Sequence, residues 1–292
     1  MTVVKSAARL GLLDHAVELA ALTVAVEALA AESAAAGVIL ALHYGTALAV
    51  AGDHRFSSLF SGDTAAAVGL SSDTAPVEQS GRLSGRAPWV APVTERGIVV
   101  VGPRSDAERL AYAVALDAPG GKVEVVHTAA LAGAVCGHVM LDNAACEPIG
   151  ATVPIMTRIR ILMAAAGLGI GTRALREALA TARSAHTAAA GEQTVQGLLA
   201  DAATDLDAAR LMTWKAANAE PLSLADASLA KLMATAAAQR AVERATQVVG
   251  VDSFQRGHVI ERLAQDVRAL ELFAGRTEAL RGMIREVELN AK

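Results

Sequence analysis

Aromatic side chains are scarce in this sequence: four Phe, two Tyr and two Trp, 3% of 292 residues. Hydrophobic residues nevertheless make up 53% of the chain, so its cores must be built mainly from Ala, Leu and Val. Ala has the best helix propensity and lets helices approach closely. The lack of rings therefore points to a mostly helical protein. Cysteine is nearly absent as well. Cys136 and Cys146 could pair, but reduced thiols in the cytoplasm are the expected state, and nothing around them has metal-ligand spacing. His43, His127, His138, His186 and His258 share no spacing either.

Charge of one sign is also lacking. The net charge of −4 excludes wholesale nucleic-acid binding. Its distribution is uneven. The first 150 residues carry 9 basic and 15 acidic side chains and the remainder 17 and 15, so an anionic cofactor or thioester would sooner meet the second half. No apolar run reaches the ~20 residues of a membrane span. The most apolar stretch, from Gly37 to Gly52, is interrupted by His43 and Gly45 and reads as a buried helix. Asp14 and Glu18 break up any signal-peptide core. A cytoplasmic protein without membrane contact is expected.

Three textures follow one another. Residues 1–64 form an N-terminal helical segment. Leu19, Leu22, Val26 and Leu29 lie on one helical face, with Gly37 and Gly45 as expected breaks. Residues 65–150 are rich in turn residues between short strand-like runs, such as Gly97-Ile-Val-Val-Val-Gly102, and indicate a small β domain. Residues 151–292 are helical again. Thr152 and Pro154 start the first helix. Pro221 ends the second, Ser223 caps the third and Gly250 stops it, and a fourth is expected over about 259–287. Four long helices with short links make an antiparallel bundle. Its Ala, Leu and Val content exceeds what one small β domain can cover, so an apolar face buried against another chain is expected.

Specific motifs add a family resemblance. Gln247-Val-Val-Gly250-Val-Asp-Ser-Phe254, then Asp266, Arg268, Phe273 and Gly275, are similar to the Q-x-x-G-G-x-G-[FY] turn and the R-D-x-[KR] to [YF]-E-G-T segment of acyl-CoA dehydrogenases. Gly81-Arg-Leu-Ser-Gly85-Arg-Ala-Pro-Trp89-Val-Ala91 resembles that family's G-x-x-L-x-G-x-x-x-W-[IV]-[ST] segment. Gly69-Leu-Ser-Ser-Asp73 looks like a shortened T-E-P-x-x-G-S-D loop. The helix from Arg158 to Gly169 is similar to R-x-x-x-A-A-x-x-x-G, with Arg160 at the Arg position. Arg183 and Gln193 resemble the ends of a segment that binds flavin across a dimer interface. The implied fold is mostly α with a small β domain: N-terminal helices, a reduced β domain and a C-terminal four-helix bundle.

The resemblance implies FAD as cofactor and a CoA thioester as substrate. Trp89, Arg183, Gln193, Gln247 and Gly250 become candidate FAD-binding residues, and Arg160 a candidate substrate-binding residue. No catalytic residue is implied. The family's base is the Glu of E-G-T, which here is Ala274; the alternative position before the helix Arg is Ile159. An aliphatic side chain takes no proton. Asp252, Glu271 and Glu278 lie close in sequence as substitutes; for Glu271 and Glu278, seven apart on one expected helix, a solvated stripe is the plainer reading. Glycines 167, 169 and 171 read as close-packing positions, because no strand precedes them. The chain thus resembles the short, degenerate subunit of the α2β2 acyl-CoA dehydrogenases that some actinobacteria use in sterol side-chain breakdown, with a longer partner supplying the base. A self-contained flavin enzyme of the same fold, monooxygenase-like, and a non-catalytic scaffold are the alternatives.

Overall fold

The computed structural model describes residues 2–14, 16–70, 75–94, 97–102, 110–184 and 192–290. Two compact units emerge: residues 1–18 with 38–159, and residues 19–37 with 160–292. Two helices, α3 (Ala34–Ala47) and α5 (Thr152–Arg183), run from one unit into the other.

The first unit opens with α1 (Thr2–Arg9), upstream of the stretch whose periodicity marks it as helical. A short α4 (Ser57–Phe60) follows α3, then, among the described residues, eight strands in two four-stranded sheets. One sheet runs β1 (Ala65–Gly69), β4 (Gly97–Val101), β5 (Leu110–Ala115), β8 (Glu147–Ala151). The other runs β2 (Val77–Gln79), β3 (Arg82–Val90), β7 (Cys136–Ala145), β6 (Gly121–Val126). The β1–β4 pair is parallel and the remaining pairs are antiparallel. Both sheets contribute to one core, with Val99, Val101 and Val114 from the first and Leu83, Ala87, Val139 and Leu141 from the second. Burial alternates along β3 and β7. The second sheet therefore has one face in the core and one face open.

His43 ties this unit together. Its Nε2 donates to the Leu59 carbonyl at 3.1 Å, and its Nδ1 accepts from the Ala66 amide at 2.9 Å. Burial pushes its pKa down to about 4, so the ring is neutral and both nitrogens are engaged.

The second unit contains α2 (Leu19–Glu32), α5 from Arg160 onward, α6 (Gln193–Ala217), α7 (Leu224–Val249), α8 (Val259–Leu272) and α9 (Thr277–Asn290). Alanine dominates its core: Ala164, Ala209, Ala230, Ala234 and Ala241 are all enclosed. The α5 glycines serve as contact points. A Cβ at Gly171 would lie 3.1 Å from the Ala238 backbone, and one at Gly169 would meet the backbone of Ala31 at 2.8 Å. Ion pairs fasten α2 to the helices beside it, Arg210–Glu27 at 2.7 Å and Arg176–Glu32 at 2.8 Å. By length and composition α5 is able to cross a membrane, but 78% of its most apolar window is buried, the character of a core helix.

Two expectations are corrected. Gly37 and Gly45 do not break helices; both lie inside α3, and the break comes at Ser33. A Cβ at Gly37 would come within 2.5 Å of Ala30 Cβ, and one at Gly45 within 2.5 Å of Ile159 Cγ1, so these glycines permit close approach. The expected fourth bundle helix is in two pieces, α8 and α9, separated at residues 273–276.

Candidate functional site

The break between α8 and α9 has a definite cause in the second unit. Ala274 has φ 58° and Gly275 φ 115°, so the chain leaves helical geometry at two successive residues. Two buried cations hold this turn. Arg160 Nε donates to the Ala274 carbonyl at 3.0 Å, and its Nη1 donates to Ser228 Oγ at 2.9 Å and to Met283 Sδ at 3.2 Å. Lys231, 1% exposed, donates from Nζ to the Glu271 carbonyl at 2.9 Å and the Gly275 carbonyl at 2.7 Å. The Glu271 carbonyl lies in the last turn of α8 and those of Ala274 and Gly275 in the break, and the cations satisfy all three. Burial lowers both cations. Lys231 falls to about 8, where the Glu271 carboxylate opposes the shift and Arg160 adds to it; Arg160 also drops below its ordinary value.

Ala274 therefore occupies a built position and offers no proton acceptor. Ile159, the alternative position, is 1% exposed and packs against Gly45. Glu271 and Glu278 do not share a helical face, because the turn separates them. The Glu271 carboxylate accepts from Thr277 Oγ1 at 2.8 Å and Gln239 Nε2 at 2.9 Å. The Thr277 and Gln239 bonds hold it below the usual carboxylate range, which makes it a weaker base. Glu278 is exposed on α9.

The motif residues at the end of α7 flank a cleft. Thr246, Ser253, Phe254, Glu261 and Arg268 line about 280 Å³, below the ~300–1,000 Å³ common for small-molecule sites. The segments around Gln247 and around Arg268 are thus spatial neighbours. Gln247 itself is exposed, and Gly250 takes φ 75° at the end of α7. Arg183 closes α5 and Gln193 opens α6, both exposed. The segment between them, residues 185–191, lies outside the described residues, as do Ser71 to Asp73 of the shortened loop.

Trp89 belongs to the first unit. It sits in β3 with φ 53° and is 56% exposed. The β3–β7 register shifts here: Ala87 pairs with Val139 and Val90 with Gly137. Two residues, Pro88 and Trp89, therefore stand opposite His138 alone, which is a β-bulge. The Trp89 amide donates to His138 Nδ1 at 3.2 Å, and the two rings meet edge to face with centroids 5.4 Å apart. A large exposed ring in a conformation that disfavours bulky residues suits a flat aromatic ligand better than it suits a core.

Lys231 and His138 were not legible as site residues. Lys231 left a signal: it falls on the stripe Ala227, Ala230, Ala234, Ala238 that α7 buries, where a lysine needs an explanation. His138 left none, because the bulge that pairs it with Trp89 has no composition mark in β7.

Residues 151–289 match the family described as "Acyl-CoA dehydrogenase, C-terminal domain". Among curated relatives, the rat (Rattus norvegicus) short-chain specific acyl-CoA dehydrogenase, mitochondrial, is 31% identical over 241 residues, 74% of this chain and 58% of that protein. The chain thus spans a little over half the length of that relative. Among solved structures, a glutaryl-coenzyme A dehydrogenase in complex with glutaryl-CoA superposes with a TM-score of 0.86 at 18% identity, covering 99% of this chain and 87% of that one. A steroid ACAD variant, Tcur3481-Tcur3483, gives a TM-score of 0.84 at 22% identity, covering 98% and 87%. At these identities the likeness is one of fold.

Proposed function

From a chain whose residues 151–289 belong to the acyl-CoA dehydrogenase family, we propose a subunit of a heteromeric FAD-dependent acyl-CoA dehydrogenase, one that shapes the assembly and leaves the base to a longer partner. One observation carries the reading. The turn where the resemblance places the catalytic Glu is fully built, held by Arg160 and Lys231, yet it presents only the methyl group of Ala274. The frame is retained and the proton acceptor is gone. Dehydrogenation between Cα and Cβ of a thioester needs a base for the acidic α-proton, and neither Ala274 nor Ile159 can serve.

Leu211, Val251, Phe254 and Leu272 of the second unit are exposed, Val251 at 82%, and a partner chain covering them would take them out of water. The paired designation of the steroid ACAD neighbour is consistent with a two-chain enzyme, and an α2β2 assembly acting on a CoA thioester in the cytoplasm is the arrangement proposed. Bound FAD would accept the hydride equivalent from Cβ. In the first unit Trp89 would offer it a stacking face; the Gln247–Gly250 turn, Arg183 and Gln193 of the second unit are candidates by resemblance. Arg160 is spent on Ala274, Ser228 and Met283, so its part in substrate binding is to fix the turn.

The test is reconstitution. Expressed alone with FAD, the chain is expected to show no turnover of acyl-CoA esters of any length. Co-expressed with a longer family member that carries the Glu, it is expected to co-purify as a yellow, active complex. Turnover by the chain alone would overturn the reading.

A further inference from the structure

Arg160 and Lys231 do more than fasten the α8–α9 turn. They bring two positive charges into the second unit with no anion set against them. Arg160 is 4% exposed and Lys231 1%. Their acceptors are carbonyls, a hydroxyl and a thioether, all neutral. Among the described residues neither cation forms an ion pair. Glu271, whose charge Lys231 feels, directs its carboxylate to Thr277 and Gln239 instead. Buried charge without a counter-charge is costly, so the cluster is electrostatically incomplete.

Donors are left over as well. Nε and Nη1 of Arg160 are committed to Ala274, Ser228 and Met283, but Nη2 has no acceptor among the described residues. Lys231 Nζ carries three N–H groups and gives two of them. Nη2 is not sealed in. Among the described residues, Thr235 Oγ1 is the one fully enclosed side-chain polar atom without a partner, so Nη2 keeps an opening to solvent. Gly275 flanks it: an added Cβ there would stand 3.5 Å from Nη2 and 3.0 Å from Leu280 Cδ2. Ala274 and Gly275 are themselves half-buried. Space this narrow suits a small ion and not a phosphate ester.

We infer that Nη2 of Arg160, backed by the charge of Lys231, binds a small monovalent anion at the Gly275 turn, a carboxylate such as formate or a halide such as chloride. The ion accepts a charge-assisted N–H and supplies the missing negative charge. It also ties α9 to α5 and α7 through the turn that precedes α9. The inference needs neither flavin nor thioester, so it stands apart from the dehydrogenase reading.

The test follows the ion directly. The full chain at pH 7 is titrated with sodium chloride while the chloride NMR linewidth is read, then with sodium formate as competitor. Broadening that formate displaces is expected. Thermal melts in chloride, formate and sodium sulfate at matched ionic strength give a second readout. With the two monoanions Tm should rise along the saturating curve of a single site, and their two Kd values tell carboxylate from halide. Sulfate should give no saturating component. Arg160→Gln should weaken binding about 10-fold or more, the effect of one charge-assisted hydrogen bond. Lys231→Met removes the second charge, should weaken binding too, and serves where Arg160→Gln does not fold. Ser228→Ala separates binding from packing. It takes a protein partner from Arg160 and keeps Nη2, so it should lower Tm and retain the anion affinity. Absence of displaceable broadening and of a saturating Tm rise in the wild-type chain would overturn the site and leave Nη2 to water. Equal affinity in the wild type and Arg160→Gln would overturn it as well, and so would a loss in Ser228→Ala as large as that in Arg160→Gln.

Discussion

At the scale of single residues, the clearest consequence belongs to His43. Both its nitrogens are committed, and burial holds its pKa at about 4 against ~6.5 in an unfolded chain. Between these values the unfolded state binds a proton that the folded state does not. The stabilisation is therefore complete above pH 6.5 and is lost as pH falls toward 4. The full span corresponds to about 3 kcal/mol. Thermal melts from pH 7.5 to 4.5 should show Tm falling more steeply for the wild-type chain than for His43→Gln. The Gln variant should be less stable at pH 7.5, by about 1–3 kcal/mol, since it leaves the Leu59 carbonyl or the Ala66 amide without a partner. Parallel curves for the two proteins would show that His43 is not the titrating group.

At the scale of elements, the α8–α9 turn shows how far pattern reading reaches. Apolar residues continue at helical spacing through Val267, Leu270 and Ala274, so the sequence reads as one helix. The break is imposed from elsewhere, by Arg160 on α5 and Lys231 on α7, residues 114 and 44 positions away from the carbonyls they hold. Local propensity carries no trace of such partners. Gly275 is the exception. Its φ of 115° lies in a region that side chains rarely enter, and a Cβ there would stand 3.0 Å from Leu280 Cδ2 and 3.5 Å from Arg160 Nη2. Gly275→Ala is expected to cost roughly 1–3 kcal/mol and to loosen α9, read as faster amide exchange at residues 277–284 with α7 unaffected. Protection equal to the wild type would show that the turn tolerates a side chain. The same limit hid β1. Its Ala-Ala-Ala-Val-Gly run has weak strand character and becomes a strand only through parallel pairing with β4. By contrast β4, rich in valine, was legible. So were the ends of α7, where Ser223 accepts from the Asp226 amide at 3.2 Å and Gly250 follows the last turn, because those signals are local. Among the candidate site residues, Ala274 and Ile159 are base positions by resemblance alone, and only their aliphatic character was legible in the sequence. The His138–Trp89 pair was not, since it depends on a bulge in strand register.

At the scale of the whole molecule, the proposed division of labour with a base-carrying partner fixes an arithmetic. If each unlike pair has one pocket with base and full loops, the purified complex should hold one FAD per pair of chains, measured by flavin absorbance against total protein. Replacing the partner's Glu with Gln should abolish acyl-CoA dehydrogenation, because a positioned base contributes about 10²–10⁴ in rate and this chain has no substitute at Ala274 or Ile159. The acids nearest that turn provide the internal control. Glu271 already accepts two hydrogen bonds and is lowered in basicity by them, and Glu278 is exposed on the far side of the break. Glu271→Gln should therefore leave most of the complex's kcat while reducing stability slightly, and Glu278→Gln should change neither. Two FAD per pair would give this chain a cofactor pocket of its own, and a loss of kcat in either variant that matches the partner's own Glu variant would place a working base in it; either result reverses the assignment of roles.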